Sequence, residues 1–534
     1  MIKSIQLLSS DIDKSIGFTE IHDHKTVLNV EAIELVSFTL KIELSQPIVL
    51  FRNHDYTWVD VNKKRIANWF APKLLKLKNN RIVQANQNSG IWEVNPKKNT
   101  ILYWHFNPKN ANPIANYDRN NTKHIINAVS QNIFDKPLAL LFTNDFGIEV
   151  SRSKFPFSAI VCFTDHCDFD TEENLVLQRQ FFKRHNIKVT KGFFLNHFSK
   201  REDTASFEFN SAEIEAWIKD GHELAYHSLS QSIKSAKESF QDFLAFKPPF
   251  GIIKTWIDHG FQPYNFTLYS SKDEIKDQYG HYLKKRNISQ LWNYIDSGTA
   301  VDGVINQINP QQFTLKAYYN GIKHLGIKNI VSLIIKEVVF HYRNDDYGIR
   351  LYREIVKYAK TIKHKKSRIK HVYFVFNIVK FVIYLIPILL FWIIHNKKIY
   401  PLAEYTPLFF EHELNGQTFT VFQTLEMINF KNALHSKNLD LLIKEKGLFI
   451  AHTYFSAPMN YHDGKIFGEK DKINTGIEER FNYLSQKMAL EQIWNPTLSE
   501  LIGYMEKTKH VKYDCNKDGE IFISNNELIS RQVR

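Results

Sequence analysis

Three short polar clusters hold the residue types that metal and proton chemistry needs. The first is Thr164-Asp165-His166-Cys167-Asp168-Phe169-Asp170, with three carboxylates and an imidazole in six positions. Carboxylate and imidazole together suit a divalent cation or general-base work. The second cluster is His227-Ser228 and the third is His452-Thr453-Tyr454. Each follows an apolar run (AIVCF, ELAY and GLFIA) that reads as a strand. A single histidine at a strand end is more often structural. Three clusters at the C-terminal ends of parallel strands would converge on one site.

The surrounding pattern supports such a sheet. From Phe155, strand-like runs alternate with helical ones: TEENLVLQRQFFKRHN, then IKVTKGFFL, then SAEIEAWIKDG, then HELAYHS. Residues 151–304 read as the first part of an α/β domain with a parallel sheet or (β/α) barrel. Residues 401–534 resume the pattern as its second part. Residues 305–400 interrupt it with helical periodicity. Residues 1–150 carry short β-branched and aromatic runs such as ELVSFTLKIEL and TILYWHFN, and read as a β-rich, sandwich-like module. Trp58, Trp92 and Trp104 lie in or beside these runs. Core packing is their ordinary role, and a sugar-stacking platform is the alternative.

The order of the clusters resembles the polysaccharide deacetylase superfamily (NodB-homology, carbohydrate esterase family 4 type). Phe163-Thr164-Asp165-His166 is similar to its first motif. Gly221-His222-Glu223 followed by His227-Ser228-Leu229-Ser230-Gln231 is similar to its second. Lys247-Pro248-Pro249-Phe250-Gly251 resembles its third, Trp292 and Asp296 its fourth, and His452 its last. The resemblance spans about 155–515 without the 305–400 block. It implies a distorted (β/α) barrel of the NodB-homology type; the N-terminal β-rich domain and the helical, partly hydrophobic insertion come from the residue pattern and lie outside the resemblance.

Three positions depart from the family pattern: His166 where it has aspartate, Gln231 where it has histidine, and Lys247 where it has arginine. The resemblance then implies one divalent metal, zinc by its ligand set, held by His227, His166 and Asp168. It implies metal-assisted hydrolysis of an N-acyl group on a sugar, in a polysaccharide or lipid-linked glycan. Asp165 would be general base, Lys247 its charge partner, and His452 the acid for the leaving amine, with Asp296 orienting. Phe250, Trp292 and Tyr454 would contact substrate. The alternative is a degenerate barrel acting as a glycan-binding or membrane scaffold protein.

The chain has 534 residues and a net charge of +13, and the charge is concentrated. Residues 353–370 hold eight Lys/Arg against one Glu, a net of +7. The apolar run HVYFVFNIVKFVIYLIPILLFWII follows at 371–394, then Lys397 and Lys398. A polybasic stretch abutting an apolar helix points to an anionic membrane surface, with Lys363, Lys365, Lys366, Arg368, Pro387 and Trp392 at the contact. Nucleic acid is disfavoured as a partner, because no zinc-finger or RNP-like pattern accompanies the charge. Asp165 and His227 precede the apolar run and His452 follows it. One site built from all three forbids a single crossing, so the run must be interfacial, re-entrant or buried in the protein. Three cysteines without a CxxC, and an N-terminus without an apolar core, point to a reducing compartment and the inner face of the cytoplasmic membrane.

Overall fold

The computed structural model describes residues 1–30, 36–117, 123–128, 137–195, 205–227, 241, 244–248, 251–257, 278–293, 305–343, 345–363, 371–427, 429–456, 466–469, 472–524 and 527–534. Residues 1–150 hold a six-stranded and a seven-stranded antiparallel sheet. Strands such as Phe38–Leu44 alternate buried and half-buried residues along their length. That period of two directs one face of each sheet inward. Leu40, Ile42 and Trp104 from one sheet and Leu75, Val83 and Phe142 from the other share one core. Trp92 and Trp104 are fully buried and meet edge to face at 5.6 Å, so they are core residues. Trp58 is half-buried, and its indole N–H donates to the Arg534 carbonyl at 2.7 Å.

The larger unit is built on a ten-stranded sheet. Its order is Phe409–Leu414, Gln417–Phe422, Gln290–Trp292, Thr255–Ile257, Glu223–His227, Thr190–Phe193, Ala159–Asp165, Leu448–Thr453, Leu425–Glu426, with Ile493–Trp494 added beside Ala159–Asp165. Every pairing is parallel except that of Phe409–Leu414 with Gln417–Phe422. The central strands are buried on both faces, as their uninterrupted apolar sequences require.

The expected (β/α) barrel of the NodB-homology type is corrected by this topology. Among the described residues the ladder is open, and its end strands Phe409–Leu414 and Leu425–Glu426 are not paired with each other. An antiparallel hairpin, 409–422, covers one edge, and the strand at the other edge is only two residues long. Chain continuity through Gln423 and Thr424, not a ladder, links the two sides of the sheet. Antiparallel sheets build residues 1–150, whereas the larger unit combines its parallel strands with helices.

The helices of 305–400 pack their apolar residues, among them Leu315, Ile334, Val338 and Ile388, into the core of the larger unit. The last residues of the chain turn back to the N-terminal sheets. Ser530–Val533 pairs antiparallel with Gly147–Val150, and Val511, Tyr513 and Cys515 pack on Leu141 and Ile148.

Candidate functional site

The sheet register brings the three clusters together. Ala159–Asp165 and Leu448–Thr453 run parallel with Thr164 beside His452 and Asp165 beside Thr453. One residue later, the His166 N–H donates to the Thr453 carbonyl at 3.0 Å. The His166 ring therefore stacks on the His452 ring, centroids 4.1 Å apart and planes 24° from parallel. On the other side, Phe193 is in register with Tyr226, which sets His227 at the next step. Gly192 makes this approach possible. A Cβ there would lie 3.0 Å from the Asp165 carbonyl oxygen and 3.6 Å from the His227 Cβ.

His166, Asp168 and His227 form a compact donor set. The His227 Nε2 lies 3.0 Å from the His166 Nδ1 and 3.4 Å from the Asp168 Oδ2. One donor atom from each of the three lies within 4.8 Å of the others, and all three residues are buried. Two imidazoles and a carboxylate at this spacing could hold a divalent cation. The loop that presents His166 and Asp168 is closed by the helix Glu172–Arg184, whose N-cap Thr171 forms a capping box with Asn174. Trp292, at the end of its strand, stands edge-on to His166 at 5.1 Å and to His452 at 4.9 Å. Its indole N–H donates to the Thr424 hydroxyl at 2.9 Å. It is a buried wall of the site, while the half-buried Tyr454 lies 5.1 Å from His166 and 5.8 Å from Phe169.

Asp165 belongs to a second, deeper network. Its register partner on the neighbouring strand is Lys191, whose ammonium donates to the Asp165 Oδ2. The Asp165 Oδ1 accepts from the Thr453 hydroxyl and the Phe455 N–H, both at 3.0 Å. Lys191 also pairs with Asp170 at 2.5 Å and donates to Gln178 at 3.1 Å. Gln178 in turn donates to Asp170 at 2.8 Å. Asp165 and Lys191 have no solvent exposure. Burial pushes the Asp165 carboxyl up to about 6 against the pull of Lys191, and Asp170 adds to the rise. Burial works against the Lys191 charge, but the two carboxylates outweigh it and hold its pKa above the usual range.

The charge partner of Asp165 is thus Lys191, not Lys247, which is exposed. Lys191 is the single charge in the run VTKGFFL at 189–195, whose strand Thr190–Phe193 is buried throughout, and that position is the signal for it in the sequence. His222 and Glu223 lie at the start of their strand and are structural. His222 accepts the Val189 N–H at 3.2 Å, and burial takes its pKa down to about 4. Glu223 accepts from the Thr190 hydroxyl at 2.9 Å and the Ser499 N–H at 3.0 Å. Phe250, Asp296, Ser228 and Gln231 lie outside the described residues, as do Lys365, Lys366 and Arg368.

No protein-family model matches the chain, and no curated protein matches it. Among solved structures, a xylosidase from Aspergillus niger is 13% identical, with a TM-score of 0.19, over 54% of this chain and 39% of that one. A glycoside hydrolase family 31 dextranase from Flavobacterium johnsoniae, complexed with glucose, is 9% identical, with a TM-score of 0.29, over 95% and 62%. A family 31 alpha-xylosidase from a soil metagenome, complexed with xylose, is 10% identical, with a TM-score of 0.20, over 51% and 40%. The chain spans less than two thirds of each of these proteins. At these TM-scores the likenesses carry neither a fold assignment nor a function.

Proposed function

We propose that the chain is a metal-dependent hydrolase acting on a carbohydrate, and that the bond it cleaves is an N-acyl amide on a sugar. The observation that carries this reading is the buried His166, Asp168 and His227 donor set with His452 stacked against it. The sequence resemblance to polysaccharide deacetylases supplies the reaction class. A divalent cation bound by the three donors would supply Lewis-acid polarisation and a more acidic water.

The protein's own groups divide the remaining work. His452 is the imidazole of the cluster outside the donor set. It is positioned to take a proton at a ring nitrogen and return it to the leaving amine, which is a poor leaving group without one. Asp165 has both oxygens engaged and no exposure, so in this geometry it is a positioning residue rather than the base. It ties the His166 loop to the Thr453–Phe455 segment and so fixes the stacked histidine pair. Trp292 closes one wall, and Tyr454 stands at the rim for a sugar face.

The test is metal content and acetate release on N-acetylglucosamine oligosaccharides. Wild-type protein should carry about one equivalent of metal, and His227→Ala should lose it. His452→Ala should keep the metal and lose acetate release by about 10²–10⁴-fold, the usual range for a general acid–base. Metal-free wild-type protein, or full activity in both variants, would reject the reading.

A further inference from the structure

The apolar helix His371–Ile394 is exposed along one continuous face. Among its residues, Val375, Val379, Val382, Ile386, Leu390 and Ile393 are 44–60% exposed. Their spacing of three and four places them on one stripe. The segment Phe374–Ile394 has 21 residues, long and apolar enough to cross a membrane, and only 11% of its most apolar window is buried. A face of this size left in water is a contact surface.

The neighbouring helix names the partner. Asp346–Lys363 packs along the apolar helix, with Tyr358 stacked on Tyr384 at 5.9 Å. It carries Arg350, Arg353, Lys357, Lys360 and Lys363, all exposed and again spaced by three or four. These exposed cations, on a helix packed against the one that bears the apolar stripe, complement an anionic lipid surface. A second copy of the chain would bring the same cations together, which is unfavourable.

The packing also fixes the mode of contact. A spanning apolar helix would draw its packed neighbour, with five exposed cations, into hydrocarbon. At its far end, the Lys316 N–H donates to the Asn396 carbonyl at 2.7 Å, and the Tyr400 N–H donates to the Phe313 carbonyl at 2.7 Å. The chain therefore returns directly to the body it left. His166 and His452, from before and after the helix, stack in one site. We propose that His371–Ile394 lies in the plane of an anionic lipid surface, its apolar stripe among the acyl chains and the cations of Asp346–Lys363 at the headgroups.

The test uses the full chain and vesicles of phosphatidylcholine with and without phosphatidylglycerol. The protein should float with the anionic vesicles and far less with neutral ones. Lys357→Ser, Lys360→Ser and Lys363→Ser together should weaken binding roughly hundredfold. Val379→Ser, Val382→Ser and Ile386→Ser together should abolish flotation with an unchanged circular dichroism spectrum. No flotation, equal binding to neutral vesicles, or a dimer that buries the stripe would overturn the proposal.

Cysteine labelling tests the orientation. Cys162, Cys167 and Cys515 are buried, so cysteines introduced singly at Lys363 and Lys397 report their own positions. A membrane-impermeant maleimide should label both on intact vesicles. Protection of one until detergent is added would mean a spanning helix and overturn the in-plane arrangement.

Discussion

At the residue scale, the decisive group outside the donor set is Lys191. It is a fully buried cation shared by Asp165 and Asp170. Lys191→Met would leave two carboxylates in the interior without their countercharge. Breaking one side of a buried ion pair costs about 3–5 kcal/mol, so a loss of that size is expected in urea unfolding. A second measurable residue is Lys73. Burial takes its pKa down to about 7, and its ammonium donates to the Asn68 and Asn88 carbonyls. An unfolded lysine titrates near about 10.4, so between these values the unfolded chain binds more protons than the folded one. Stability should therefore rise with pH through that window and be insensitive to this group below it. The difference in unfolding free energy between wild type and Lys73→Met should shift by roughly 2 kcal/mol in favour of wild type from pH 7 to pH 9. A flat difference would contradict the assignment.

At the element scale, the site depends on how closely three parallel strands approach. Gly192 sits where a side chain would meet the Asp165 carbonyl and His227. Gly192→Val should displace one strand and cost about 1–3 kcal/mol in thermal or chemical unfolding, and should abolish binding of the metal proposed for the donor set. Retained metal stoichiometry in a folded variant would show that the strand spacing does not hold the donor set. The same register explains what the linear pattern conveyed. Three polar clusters after apolar runs are visible residue by residue, and parallel pairing of neighbours needs only that each run be a strand. Lys191 was legible only as an oddity, because the partner of a strand residue is set by register. The glycine was legible only as a small residue, because its close contacts come from both neighbouring strands.

At the scale of the whole molecule, the C-terminal segment ties the larger unit to the N-terminal sheets. Glu149 is fully buried and bonded by Arg52 at 2.7 Å and Arg531 at 2.7 Å. Val511, Tyr513 and Leu528 cover Leu141, Ile148 and Val150. Removing residues 511–534 would expose that apolar surface and leave Glu149 with one cation. The truncated protein should melt several degrees lower, since about 1 kcal/mol shifts the midpoint of a large domain by roughly 2–4 °C. An unchanged melting temperature would show that the terminal strand contributes little. The helical block 305–400 is joined to the same body, so a membrane contact there would hold the site at a fixed distance from the lipid surface.

Residue types and their order determined the clusters, the β-rich start, the strand–helix alternation after Phe155 and the basic–apolar block. Those features are local: periodicity, turn residues and charge need no distant partner. Only the tertiary structure decided that the sheet stays an open ladder, because closure depends on whether edge strands 409–414 and 425–426 meet. It also decided that Lys191 and not Lys247 faces Asp165, and that Asp165 is enclosed rather than accessible. Each is a contact between residues far apart in sequence, and none leaves a periodicity in the chain.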